Sequence, residues 1–444
     1  MNVTDRLKRI TGEAQNPAGG KPSVDAKRAA VVSDLRRRID AIMERRPQRA
    51  EPSPERVFPE GRARDIVEVI DGLLLENDRG ACFVSDGVLL GKEQYGKTTV
   101  AEMTRFVMDH LALLARDQRL AGFDPADALF LDTETTGLSG GTGTTAFLIG
   151  LGWFEGSSMI TRQIFLRDFS DEAAGLSLLR EIVGEKGFLV TFNGKAFDVG
   201  LLSTRFVMNR IVDPFGDVPH LDLLFPSRRL LGHRLDNCRL GTLEEEILTF
   251  RRHGDVPGYE IPARYFEWLR RRDGELMRDV FEHNRLDLVS MAALAAHLSD
   301  LVDADRRDSR EIEEDLLAAA RLRLHRGDER GGQRMLEFII NDGSAGRTGT
   351  TVREAARELS LIHKRRGEWD EARGLWERMA LQWPGDLFAL EELAKWCEHR
   401  ARDYGGAIEL VERALDRDGM TQEERSALLH RRARLLRRCG RDQE

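Results

Sequence analysis

Two acidic residues end an apolar run near the middle of the chain, in the segment ALFLDTETTG at 128–137. A short apolar run closed by polar residues and glycine is typical of a buried strand. Asp132 and Glu134 are two positions apart, so in a strand their side chains project from one face. Carboxylates held that close repel, and burial adds to the cost unless a cation such as Mg²⁺ or Mn²⁺ accepts their oxygens. The alternative is a solvated strand end with two unrelated acids.

The pattern is extended by three more residues, which lie further along the chain. Asp198 follows the predicted strand FLVTFNG at 188–194 and opens a predicted helix. His283 and Asp287 are four positions apart in a predicted long helix, so they share one helix face. Each of the three would be a surface residue if taken alone. The complete order is D-x-E on a strand, D at a strand-to-helix step, then H-x3-D on a terminal helix, and it favours a metal site.

These motifs resemble those of the DnaQ-like (DEDD) 3′–5′ exonucleases of the ribonuclease-H-like superfamily. LDTETTGL, TFNGKAFDVGLL and HNRLDLVSM look like the first, second and third exonuclease motifs, and the nearer likeness is to the YprB-type ribonuclease-H-like domain. The resemblance covers about residues 128–300. It implies that Asp132, Glu134, Asp198 and Asp287 hold two divalent ions, Mg²⁺ or Mn²⁺. Such ions activate a water and stabilise the leaving oxygen in phosphodiester hydrolysis.

The same resemblance makes His283 the general base, a role that suits a group titrating near neutrality. The chain departs from the family here. In the histidine subtype the base lies five residues before the last aspartate, which is Glu282 in this chain, and the x3 spacing belongs to the subtype that uses tyrosine. The alternative for His283 is a helix-face residue near a carboxylate. The resemblance also suggests that Asn193 binds a phosphate or the terminal ribose and that Leu138 wedges against the last base.

The elements that must position these residues predict an α/β fold, a ribonuclease-H-like mixed sheet flanked by helices. A strand at 144–154 follows the first one after a short turn, so the two should be antiparallel neighbours. We divide the chain into four parts: a loosely ordered segment with a basic amphipathic helix (1–64), a small α+β lead-in (65–127), the exonuclease domain (128–303) and an all-α domain (310–440). The basic helix is either a solvated helix or an arm that contacts nucleic acid.

The all-α part carries a weak internal repeat. Trp369-x2-Ala372 recurs as Tyr404-x2-Ala407, an offset of 35 residues, close to the tetratricopeptide period of about 34. The region about 354–416 resembles two tetratricopeptide repeats, and a generic helical bundle is the alternative. Such repeats would recruit a protein partner or position the substrate.

Composition limits the function classes. The 444 residues include 41% hydrophobic and 32% charged residues with a net charge of −8, which is typical of a globular protein. Apolar runs are too short to span a membrane, and no secretory signal is visible at the N-terminus. The four cysteines are far apart, so a disulfide framework is not expected and the cytoplasm is the predicted location. Arginine runs at 228–239, 251–252 and 270–272 are either solvated faces or a surface for nucleic-acid phosphates.

Two rival functions remain open. GKEQYGKT at 91–98 matches the P-loop pattern GxxxxGK[ST], which would indicate a nucleotide hydrolase. Glu93 and Tyr95 fit a phosphate cradle poorly, and the alternative for this segment is a β-hairpin. The second rival is a catalytically silent adaptor built on the same fold. The prediction that we favour is a metal-dependent nuclease acting on DNA or RNA.

Overall fold

A mixed β-sheet forms the centre of the computed structural model, which describes residues 63–137, 143–305, 312–341, 349–417 and 419–441. The strands are β1 Leu73–Asn77, β2 Gly80–Leu89, β3 Gln94–Tyr95, β4 Thr98–Thr99, β5 Ala128–Thr135, β6 Ala146–Glu155, β7 Ser158–Phe165, β8 Phe188–Thr191 and β9 His220–Asp222. Seven of them form one sheet in the order β1-β2-β7-β6-β5-β8-β9, and β3 pairs with β4 separately. The predicted ribonuclease-H-like mixed sheet is therefore confirmed.

The pairing of β5 determines where the acidic residues lie. β5 and β6 are antiparallel, as predicted, whereas β5 with β8 and β8 with β9 are parallel. The carboxyl ends of β5, β8 and β9 therefore meet at one edge of the sheet. This edge receives Asp132 and Glu134 from β5 and the loop 192–197 that follows β8.

The first two strands of this sheet come from the segment 65–127. β2 pairs antiparallel with β7 along seven residues, from Phe83 opposite Phe165 to Leu89 opposite Met159, and β1 pairs with β2 at the sheet edge. In β2 the side chains of Cys82, Phe83 and Val84 are buried, so the hydrophobic effect stabilises the pairing of this strand with the sheet. The predicted domain boundary at residue 128 therefore falls within one sheet, because β1 and β2 precede it and the other five strands follow it.

Helices cover both faces of this sheet. They are α1 Ile66–Val69, α2 Val100–Met103, α3 Met108–Ala115, α4 Glu172–Gly184, α5 Asp198–Met208, α6 Leu224–Leu231, α7 Leu240–Leu243, α8 Ile261–Arg271 and α9 Glu275–Leu301. The long helix α9 packs on β5 and β6 and brings the third sequence motif to the sheet. A π-helical turn, Glu244–Leu248, follows α7.

The segment that matches the P-loop pattern forms the β3–β4 hairpin, as the hairpin alternative predicted. Gly96 has a φ of 54°, and a Cβ there would lie 2.0 Å from the Leu248 carbonyl oxygen. The Tyr95 ring stacks on Phe250 at 3.9 Å, and its hydroxyl lies 2.5 Å from Ser290 Oγ. The glycine and tyrosine of this motif therefore pack the hairpin against the π-turn and α9.

The C-terminal region is all-helical in its described residues, as predicted. Its helices are α10 Glu313–His325, α11 Glu329–Asn341, α12 Gly349–Arg366, α13 Trp369–Gln382, α14 Leu387–Trp396, α15 Tyr404–Leu415 and α16 Gln422–Arg441. Each packs on the next along the chain. Trp369 and Tyr404 begin α13 and α15, and Ala372 and Ala407 are fully buried between helices.

The helical region is attached to the sheet domain through α6 and α10. Arg234 donates to the Asp315 carboxylate at 2.7 and 2.9 Å, and Asp315 is almost fully buried. Arg234 belongs to one of the arginine runs predicted to neutralise phosphates, but this ion pair gives it a structural role. Among the described helices none is sufficiently long and apolar to span a membrane. Of the segment 1–64, the structure describes residues 63 and 64. The basic helix predicted within this segment lies outside the described residues.

Candidate metal centre

Asp132 and Glu134 lie in the last half of β5, where α9 crosses the sheet. Asp132 is paired with Gly150 of β6, and a Cβ at Gly150 would lie 2.2 Å from the Asn284 side-chain oxygen. The glycine therefore allows α9 to approach the sheet more closely than any larger residue would. This close approach brings the third motif within reach of the first.

Asn284 is the fully buried residue that joins the helix to Asp132. Its Nδ2 donates to Asp132 Oδ2 at 2.8 Å, while its Oδ1 accepts from Gln163 Nε2 at 2.8 Å. Gln163 also donates to the Phe281 carbonyl at 2.8 Å. These hydrogen bonds, from Gln163 to Asn284 and from Asn284 to Asp132, fix the position of one carboxylate oxygen of Asp132. Asn284 was not singled out from the sequence, although a polar residue between Phe281 and Leu288 on one helix face was a usable signal.

Asp198 is held at the N-terminus of α5, beside the first motif. Thr133 Oγ1 donates to Asp198 Oδ1 at 2.5 Å. The preceding loop is held by the buried Asp222, whose carboxylate accepts the backbone N–H groups of Asn193 at 2.7 Å and Lys195 at 3.1 Å. Asn193 adopts a φ of 67°, in the left-handed region that asparagine tolerates better than most residues. Asp222 is a further positioning residue that the sequence did not indicate.

Glu134, His283 and Asp287 form the tightest group in the site. One ligand atom from each lies within 4.8 Å of the others. His283 Nε2 is 3.8 Å from Glu134 Oε1 and 3.5 Å from Asp287 Oδ2. The other ring nitrogen, Nδ1, lies 2.7 Å from Asp255 Oδ1. The histidine is thus held by one carboxylate and directed at two others.

Arg252 is the arginine that enters this cluster. Its guanidinium donates to Glu244 at 2.5 and 2.8 Å, to Asp255 at 3.2 Å and to Asp287. The Arg252 side chain is 10% exposed and that of Glu244 only 2%. We expected Arg252 to belong to a solvated or phosphate-binding run, and this was wrong because its ion pairs turn it inward.

The protonation of the site follows from burial and crowding. Burial is the larger cause that raises the pKa of Asp132 and Glu134 well above the usual range, and the charges of neighbouring carboxylates add to it. Burial also raises the pKa of Asp198, against the opposing hydrogen bond from Thr133. For His283 burial alone would lower the pKa, but the Asp255 hydrogen bond and the Asp287 charge outweigh it and raise the pKa. The site therefore attracts positive charge.

The donor set fits a divalent ion. The Glu134 side chain is 14% exposed, and its charged neighbour is His283 Nε2 at 3.8 Å, too far for a hydrogen bond. A largely buried carboxylate without a hydrogen bond is costly, and carboxylate oxygens are the ligands that Mg²⁺ and Mn²⁺ prefer. Asp132, Asp198 and Asp287 lie close enough for their charges to act on the same group. Glu134, His283 and Asp287 are close enough to share one ion, whereas Asp132 and Asp198 lie outside that group.

Other residues singled out from the sequence lie elsewhere. Leu138 is outside the described residues. Glu282 is 51% exposed and pairs with Arg285 at 2.7 Å, away from the acidic cluster. The runs at 251 and 270–272 are also paired: Arg251 with Glu245, Arg270 with Glu267, and Arg272 with Asp168. Arg228 and Arg229 are exposed on α6.

Comparison with known proteins agrees with the fold. Residues 129–299 match the RNase_H superfamily. The chain thus contains a domain of the class that its mixed sheet and acidic edge indicate. It is also 31% identical over 326 residues to the uncharacterized protein YprB of Bacillus subtilis (strain 168), a match that covers 71% of this chain and 76% of the relative. The chain therefore belongs to the YprB family.

Proposed function

We propose that the protein is a metal-dependent nuclease of the DEDD type that removes nucleotides from the 3′ end of DNA or RNA. The observation that carries this proposal is the group of Glu134, His283 and Asp287, whose ligand atoms lie within 4.8 Å of one another at one sheet edge. Asp198 lies beside the same strand, held by Thr133. The RNase_H superfamily domain supports hydrolysis of nucleic acid. The four cysteines are unpaired, which agrees with a reducing cytoplasm.

In this proposal Asp132, Glu134, Asp198 and Asp287 hold two divalent ions, Mg²⁺ or Mn²⁺. When bound, such ions activate the attacking water and stabilise the leaving oxygen of an in-line displacement. The chain itself supplies the positioning. Asn284 holds Asp132, Thr133 holds Asp198, and the close packing at Gly150 sets the distance between β5 and α9.

His283 has two roles open to it in this reaction. As the predicted general base it would take a proton from the attacking water at Nε2, since Nδ1 faces Asp255. Alternatively Nε2 binds a metal directly. One lone pair cannot serve both purposes at once.

Substrate contacts are a further part of the proposal. Asn193 lies in the loop before Asp198 and would hydrogen-bond a phosphate or the terminal ribose, and Leu138 would wedge against the last base. The helical region at 310–440 would act as tetratricopeptide-like repeats that recruit a protein partner or guide the substrate. Successive packing of α12 to α15 supports this reading.

The proposal is tested by incubating the full-length protein with single- and double-stranded DNA and RNA, labelled at either end, with Mn²⁺ or EDTA. We expect metal-dependent shortening from the 3′ end, and loss of detectable cleavage in Asp132→Asn and Asp287→Asn. Glu282→Gln is the matched control, because Glu282 is on α9 but outside the cluster. Circular dichroism and urea unfolding would verify that each variant folds.

Three outcomes would overturn it. Full activity in Asp132→Asn or Asp287→Asn would remove the acids from catalysis. Internal cleavage without shortening from an end would replace the exonuclease with an endonuclease. Failure on every substrate with every divalent ion tested would favour the silent adaptor.

A further inference from the structure

We propose that His283 binds the metal through Nε2, together with Glu134 and Asp287, and that Asp255 is the positioning residue that orients its ring. This inference rests on the proposed metal-dependent function. It assigns the histidine to the metal instead of to proton transfer. It also identifies the ion bound by these three residues as a first-row transition metal such as Mn²⁺, in preference to Mg²⁺.

The first argument is the tautomer. His283 Nδ1 has two neighbours, Asp255 Oδ1 at 2.7 Å and Arg252 Nη1 at 3.3 Å. The shorter contact is to a carboxylate oxygen, which only accepts, so it places a proton on Nδ1. A neutral ring then carries its lone pair on Nε2. Metal-binding histidines commonly donate the other ring N–H to a carboxylate in this way, which fixes ring orientation and raises ligand basicity.

The second argument is the surroundings of Nε2. Its nearest charged atoms are Glu134 Oε1 at 3.8 Å and Asp287 Oδ2 at 3.5 Å. Without an ion, a proton on Nε2 would face these two carboxylates, and a divalent cation can take the place of that proton and bind all three groups. Ligand atoms at bonds of about 2.0–2.2 Å to one ion lie about 3.0–3.5 Å from each other. The two separations from Nε2 are therefore close to those of ligands sharing one ion. One ligand atom from each of the three residues lies within 4.8 Å of the others, so an inward movement would complete the set.

The third argument is chemical selectivity. Mg²⁺ demands oxygen ligands, whereas an imidazole suits transition ions. Asp132 and Asp198 add only oxygen donors to the site, so His283 is the residue that distinguishes between the two kinds of ion. Glu282 is the residue at the base position of the histidine subtype, yet it points to solvent and pairs with Arg285. The chain thus lacks a histidine at that position and has one within the ligand cluster.

Electron paramagnetic resonance of bound Mn²⁺ provides a readout that does not depend on activity. The full-length protein, stripped with EDTA and loaded with one equivalent of Mn²⁺, should show electron spin-echo modulation from a directly bound ¹⁴N. The modulation should vanish in His283→Ala and persist in Glu282→Gln. Calorimetric titration should give tighter binding of Mn²⁺ than of Mg²⁺, and His283→Ala should reduce that preference.

The positioning role of Asp255 is tested by the same ¹⁴N modulation of bound Mn²⁺. Asp255→Ala should weaken Mn²⁺ binding by about 10- to 100-fold, the usual effect of removing a carboxylate behind a ligating histidine. Asp255→Asn keeps an acceptor oxygen and should lose less. Since a merely structural residue would not alter the nitrogen coupling, we expect the ¹⁴N modulation to change in Asp255→Ala while urea unfolding shows a folded protein.

The outcomes separate this inference from the proposed function. Mn²⁺ binding without ¹⁴N modulation, or modulation that survives in His283→Ala, would overturn the inference even if the protein cleaves nucleic acid. Modulation that depends on His283 would support it even if no nuclease activity is found. Absence of Mn²⁺ binding would overturn the inference outright.

Discussion

Two buried charge clusters in this molecule contain the same kinds of residue in opposite balance. In the helical region Glu398 is fully buried and bound by three arginines of α16, Arg431 at 2.9 Å, Arg434 at 2.8 Å and Arg438 at 3.3 Å. In the sheet-edge cluster, four carboxylates outnumber the nearby arginine, Arg252: those of Asp132, Glu134, Asp198 and Asp287. Burial would raise the pKa of Glu398, but its arginines outweigh burial and lower it, whereas the pKa of Asp132 and Glu134 is raised. An excess of buried acid is what we expect of a site that binds a cation, whereas a balanced cluster holds helices together.

The largest expected effect comes from removing the arginine of the sheet-edge cluster. Arg252→Met would leave Glu244 without its cation in an almost fully buried position, so we expect a loss of about 3 kcal/mol in the free energy of unfolding. Urea unfolding in EDTA measures it. Arg431→Met is the matched control and should cost about 1 kcal/mol or less, because Glu398 keeps Arg434 and Arg438. Equal losses in both variants would contradict the difference between the clusters.

Neutralising one acid in each cluster should change stability in opposite directions. In EDTA, Glu134→Gln removes repulsion and should raise the free energy of unfolding by about 1 kcal/mol, the scale of one pKa unit. Glu398→Gln leaves three arginines without their partner and should lower it by about 1–3 kcal/mol. Added Mn²⁺ should stabilise the wild type and Glu398→Gln more than Glu134→Gln. Destabilisation by Glu134→Gln in EDTA would show that the sheet-edge acids do not repel.

The smallest expected effect is the change of the free energy of unfolding with pH in the metal-free protein, about 1 kcal/mol or less. Glu134 has a raised folded pKa, so it contributes stability that is complete below its unfolded pKa of about 4.3 and is lost as the pH rises through the folded value. Lowering the pH from 7 to 5 in EDTA should therefore stabilise the wild type relative to Glu134→Gln. Glu398 has a lowered pKa, so its contribution is present above about 4.3 and is lost only in stronger acid. Parallel curves for wild type and Glu134→Gln would refute the raised pKa.

Local sequence predicted the strand and helix that carry the acids. The apolar run before Asp132 and the four-residue spacing of His283 and Asp287 both depend on neighbours along the chain, and the structure has a strand and a helix at these places. The antiparallel partner of β5 was also predictable, because only a short turn separates it from β6.

Residues that depend on distant partners could not be predicted in this way. Arg252 lies in the basic string RRHGD, and its inward direction depends in part on Asp287, 35 positions away. The GKEQYGKT motif is equally ambiguous by itself. Gly96 and Tyr95 meet Leu248 and Ser290 only after the chain has folded, and these contacts indicate packing against the π-turn.

The pairing of β2 with β7 has a practical consequence for anyone who isolates the RNase_H superfamily domain. A fragment that began at residue 128 would lack β1 and β2 and would leave the backbone groups of β7 unpaired along seven residues. Exposed strand edges of this kind recruit other chains. Such a fragment is therefore expected to aggregate, and its inactivity would reveal nothing about the metal centre.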